Sequence, residues 1–111
     1  MIIVLLFFYI FVLVSPTIMP FSFGSNLQEG MRASVTCTVT TGDVPIDIKW
    51  FKDGEPIKSS KGAIFLETVD EFISTLIFKP LKQEHNGHYS CVASNEASSY
   101  NHTVYLSVDC K

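Results

Sequence analysis

The chain has 111 residues and a net charge of −3, from 8 basic and 11 acidic side chains. That length bounds it to one small domain plus a leader, and the charge balance gives no footing for nucleic acid or an anionic membrane surface as partner. The positive mean hydropathy of +0.27 comes from the apolar N-terminal run, and the rest has an ordinary globular composition.

That run, Ile2 to Val14, is too short to span a bilayer, which takes about 20 residues. It has the length of the apolar core of a signal peptide. No Lys or Arg precedes it, and no clean small-x-small cleavage site follows, with Pro16 and Pro20 crowding the candidates. A secretory leader over residues 1–19 is expected, the alternatives being a signal anchor or a misassigned first exon. The domain is then expected over residues 20–109, with 110–111 the start of a linker or a truncated end.

Pro20 to Gly24 reads as a short edge strand, and Asn26 to Gly30 as a polar turn. From Met31 to Val39 the chain alternates, with Ala33, Val35, Cys37 and Val39 on one face and Arg32, Ser34, Thr36 and Thr38 on the other. Period-two alternation of β-branched residues is a half-buried strand. Ile46, Ile48 and Trp50 alternate likewise with Asp47, Lys49 and Phe51. Asp53-Gly54 suits the positive-φ positions of a tight hairpin, and Pro56 to Lys58 would be the return strand. Ala63 to Glu67 is a strand whose parity stays open, followed by a turn at Val69 to Glu71. Phe72 to Phe78 should turn Ser74, Leu76 and Phe78 inward and Ile73, Thr75 and Ile77 outward. Pro80, which has no N–H for a ladder, ends it. Lys82 to Tyr89 is a compact corner leading into a strand over Tyr89 to Ser94. After the Asn95 to Ser99 turn, Tyr100 to Val108 is the last strand, with Val104, Leu106 and Val108 inward. Many short strands with turn signals between them, and no helical period, predict an all-β sandwich.

Cys37 and Cys91 sit far apart, each inside a strand. A secreted route makes their oxidation to a disulfide across two packed sheets chemically reasonable. A closed loop of about 55 residues is worth roughly 4 kcal/mol in the chain-entropy model. Trp50 is large enough to pack against the bridge. Leu76 belongs to the same core. Tyr89, two before Cys91, shares its inward face, and its hydroxyl can bond back to nearby backbone. Cys110 is left over as a third cysteine beyond the last strand.

Cys…Trp…Tyr-x-Cys in this order is the immunoglobulin-domain signature. The stretch Phe21 to Val108 resembles an I-set immunoglobulin domain through Glu29 to Cys37, Ile48 to Gly54, Ser74 to Leu81 and Gly87 to Asn95. Within that class, Pro20 to Gly24, Leu27 to Val39, Gly42 to Gly54 and Cys91 to Ser98 are similar to the Down syndrome cell adhesion molecule family, above all to the variable domains of its arthropod members. The pattern departs at His85, where many such domains carry Asp. The carboxylate that would accept hydrogen bonds at that corner is absent, which puts local stability there in doubt, although Asn86 and Gly87 keep turn chemistry.

Enzyme chemistry has no footing: the chain holds no G-x-S-x-G, no Gly-rich phosphate loop and no H-E-x-x-H. No cofactor is expected. His85, His88, His102 and Cys110 show no spacing of ligands from one rigid element, so no metal site is expected. The acidic residues Asp43, Asp47, Asp70 and Glu71 read as solvated surface. Asn101-His102-Thr103 is the one N-x-S/T sequon, and strand parity turns Asn101 outward with Thr103 and Tyr105, which permits a glycan. On the other sheet Thr36, Thr38, Ile73, Thr75 and Ile77 should form an outer face, and two outward isoleucines among threonines suit a partner site.

The resemblance implies a cell-surface recognition module of an adhesion receptor, binding its own kind homophilically through such a sheet face. The alternative is a secreted single-domain immune or pathogen-recognition binder. The expected partner is protein, self or a related immunoglobulin domain, with no nucleic acid and no small-molecule substrate. Membrane attachment would come only through sequence downstream, and the location would be extracellular.

Overall fold

The computed structural model describes residues 13–110. The greater part of the expected leader, residues 1–12, and Lys111 lie outside the described residues. The strands are β1 (Thr17–Ile18), β2 (Ala33–Thr41), β3 (Asp47–Lys52), β4 (Glu55–Ile57), β5 (Ile64–Asp70), β6 (Ile73–Phe78), β7 (Gly87–Ser94) and β8 (Ser99–Leu106). They form two antiparallel sheets, in the orders β1-β2-β6-β5 and β4-β3-β7-β8.

Alternation decides what each strand buries, because successive side chains leave a strand on opposite faces. Val35, Cys37 and Val39 of β2 meet Tyr89, Cys91 and Ala93 of β7 in one core with Trp50, Leu76 and Leu106. Trp50, Leu76, Tyr89 and both cysteines are at most 2% exposed. The β3–β4 hairpin turns at Asp53 (φ 49°) and Gly54 (φ 85°), so both central residues take the left-handed conformation that a two-residue hairpin requires. The open parity of β5 resolves with Ile64 and Leu66 packed against the core and Phe65 and Glu67 exposed.

The N-terminal boundary differs from expectation. Pro20 to Gly24 is not a strand. The edge strand is β1, within the expected leader, and it pairs with β2 through Thr17–Thr41 and Ile18–Val39. Ile18 is 3% exposed and belongs to the core. Pro16 lies so close to Gly42 that a Cβ there would come within 2.9 Å of the Pro16 Cα. Upstream, the Asp43 and Asn95 side chains and the Asp43 backbone bond the backbone of Val14 at 2.8–3.0 Å. The folded layer thus reaches back to Val14. Pro20 has no N–H to continue the ladder, and the chain then crosses to the second sheet. The Phe21 and Phe23 rings fill the crossing, 5.7 Å edge-to-face from Trp50 and Tyr89 respectively. Gln28 then bridges to Asp109 in parallel.

Smaller differences concern strand ends. β5 runs to Asp70, past the turn expected from Val69, because it stays paired to β6 through a register shift. β8 ends at Leu106, yet Val108 remains buried, its N–H donating to the Asn86 side-chain oxygen at 2.7 Å.

Candidate recognition face

The inward constellation is scaffold. Cys37 and Cys91 are disulfide-bonded, 54 residues apart, joining β2 of one sheet to β7 of the other. Trp50 Nε1 donates to Ser74 Oγ at 2.9 Å, a second link between the sheets that satisfies a buried indole and a buried hydroxyl together. The Tyr89 hydroxyl donates to the His85 carbonyl at 2.6 Å, the backward bond expected of it. Burial, and secondarily the Asp53 charge, push its pKa well above the ordinary phenol range.

His85 corrects the expectation of a missing acceptor. Its ring is buried, 4% exposed, and Nδ1 accepts the Lys82 backbone N–H at 2.9 Å. The imidazole thus does the work of the absent carboxylate, and its ring edge also meets Phe78 at 5.3 Å. Desolvation lowers its pKa below the usual value, with a smaller opposing effect of Glu84, so the ring stays neutral and keeps the lone pair that Lys82 needs.

The five residues expected on a partner face come together on the outside of the β1-β2-β6-β5 sheet. Cross-strand pairing sets them in rows: Ser34, Ile77 and Phe65; Thr36, Thr75 and Glu67; Thr38, Ile73 and Asp70. Thr36 and Thr75 share a hydroxyl hydrogen bond of 3.0 Å. Ile73, Ile77, Thr75 and Thr38 are half-buried and Thr36 is exposed. Phe65 extends the apolar strip beside Ile77, with the Lys79 ammonium 5.1 Å from its ring centre. Sequence reasoning missed Phe65 because Ile64, Phe65 and Leu66 are apolar on both parities. Only pairing with the strictly alternating β6 decides between them.

Asn101 is exposed on β8, the edge strand of the opposite sheet, with the Thr103 hydroxyl 3.2 Å from its side-chain oxygen. The three histidines are occupied separately. His85 holds the corner, the His88 ring lies 4.8 Å from Tyr105, and His102 Nε2 lies 2.8 Å from the Phe21 carbonyl oxygen. Cys110 is an exposed free thiol. Among the described residues no group of three His, Cys, Asp or Glu is placed to hold a metal, and no helix is long and apolar enough to cross a membrane.

Two disulfide-joined sheets with a Trp against the bridge and a Tyr corner define an immunoglobulin sandwich. The chain belongs to the immunoglobulin domain family, whose model matches residues 15–95, beginning inside the expected leader as the structure does. Within that family it is similar to cell adhesion molecules of the Dscam group. It is 40% identical over 97 residues to Dscam2 of Drosophila melanogaster, and 41% identical over 100 residues to human DSCAM. Those matches cover 87% and 90% of this chain but only 5% of each relative, so the chain spans a small fraction of their length. Among solved structures, the Dscam1 Ig7 domain, isoform 5, superposes with a TM-score of 0.82 at 38% identity, covering 86% of this chain and 97% of that one.

Proposed function

We propose that this domain is an extracellular recognition module of an adhesion receptor, and that it binds copies of itself or related immunoglobulin domains through the outer face of β1-β2-β6-β5. The observation that carries this reading is the strip of Ile73, Ile77 and Phe65 set among Thr36, Thr38 and Thr75. An apolar strip rimmed by polar residues is the composition of a partner site, and a flat self-complementary face is the simplest route to a two-fold pair. The Dscam relatives are named as cell adhesion molecules, which supports the same reading. A glycan on Asn101 would occupy the opposite sheet and leave this face free. The disulfide fits an oxidising, secreted compartment.

Sedimentation and bead aggregation test the face. The Ile73→Glu/Ile77→Glu pair should abolish self-association and leave the melting temperature nearly unchanged, since both side chains point away from the core. Phe65→Ala alone should weaken self-association about tenfold, the scale of an interface anchor. Aggregation that persists in the double variant sinks the assignment.

A further inference from the structure

Beside the Gln83–His85 turn, where the two sheets part between edge strands β4 and β5, a cleft of about 620 Å³ opens. Lys52 from β3, Lys58 and Lys61 from the β4–β5 loop, and Lys82 before the turn all line it, against the single acid Glu84. Half of the chain's 8 basic residues thus converge on one cleft of a molecule whose net charge is −3. Lys52 shares its charge with Asp53 at 3.2 Å, whereas Lys58, Lys61 and Lys82 form no ion pair among the described residues. Like charges gathered round a concave surface repel one another and focus a positive potential into it. His85 also lies on the cleft wall.

The geometry points to this cleft as a binding site for a sulfated oligosaccharide segment. The volume is that of a small-ligand pocket. The cations lining it are lysines, compact point charges that meet sulfate oxygens from any direction, and no arginine lines the cleft. Pro56, Ile57 and Ile64 give the same cleft apolar wall, suited to the C–H faces of sugar rings. A second cavity of about 590 Å³ shares Pro56, Ile57 and Lys58 with the first and continues along the β4–β5 side to Lys49. The two together make a groove, which fits a linear polyanion better than a lone ion. This site is separate from the outer sheet face, so either can fail without the other.

Calorimetry of the chain with a heparin-derived hexasaccharide tests the assignment. Binding should weaken with added salt, as screening requires. It should fall about tenfold or more, or 1.4 kcal/mol per tenfold, in the Lys58→Ala/Lys61→Ala/Lys82→Ala variant and in the charge reversal Lys61→Glu. Arg32→Ala, an exposed cation outside the cleft, should bind as the parent does, and the desulfated hexasaccharide should not bind. All three cleft lysines are exposed, so these variants should melt with the parent. The proposal is overturned by absence of binding, by an equal loss in Arg32→Ala, or by phosphatidylserine vesicles binding as tightly through the same lysines.

Discussion

The Nδ1 atom of His85 accepts the backbone N–H of Lys82 at 2.9 Å inside a corner that leaves the ring only 4% exposed. A protonated ring would set a donor against that donor and bury a charge. The folded pKa therefore lies below the unfolded value near 6.5, and the unfolded chain binds more protons in the interval between the two. The stability held by neutral His85 is complete above the unfolded value and is lost as pH falls toward the lowered folded value. Melting temperature should drop as pH falls through and below the unfolded value near 6.5. His85→Asp, whose carboxylate accepts the same N–H while ionised, should flatten that drop, and an identical pH profile for the two proteins would contradict the role given to the ring.

Tyr89 closes the same corner. Tyr89→Phe removes the 2.6 Å bond to the His85 carbonyl and keeps the ring against Phe23 and Phe78. The loss should be about 1–3 kcal/mol in urea unfolding, the cost of a buried acceptor left unpaired. In the parent, spectrophotometric titration should find one phenol that resists ionisation until the fold opens, because burial disfavours its charged form.

Ile18 carries the N-terminal boundary. Ile18→Ala should cost about 2–5 kcal/mol, as for other buried isoleucines. A protein that begins at Pro20 lacks β1 altogether and should lose at least as much, with β2 left as an open edge. Equal urea midpoints for chains beginning at Leu13 and at Pro20 would show that β1 contributes nothing.

The disulfide links the sheets across a core of modest size. Replacing both Cys37 and Cys91 by Ala should destabilise the fold by about 2–5 kcal/mol, read by calorimetry under non-reducing conditions. A melting temperature within a few degrees of the parent would overturn this.

Strand faces were legible wherever alternation was strict. In β2, β6 and β7 the inward and outward sets of the sequence are those of the structure, and with them the candidate face of Thr36, Thr38, Ile73, Thr75 and Ile77. At β5 a run of three apolar residues hid the parity, and Phe65 with it. Near the N-terminus no strand was read between Val14 and Pro20, since a two-residue strand such as β1 is too short to show a period.

What the sequence by itself determined is therefore local. Side-chain direction along a strand follows from its two-residue period, and Asp53-Gly54 turns because of its own backbone preferences. Cys37, Trp50, Tyr89 and Cys91 name the core through their spacing. What only the tertiary structure decided depends on neighbours distant along the chain. Ile18 is core because β2 lies beside it. His85 replaces a carboxylate because the corner brings the Lys82 N–H to its ring. Lys52, Lys58, Lys61 and Lys82 become one site because two sheet edges part where those segments meet. Such contacts arise only when the sheets pack, so no window of sequence contains them.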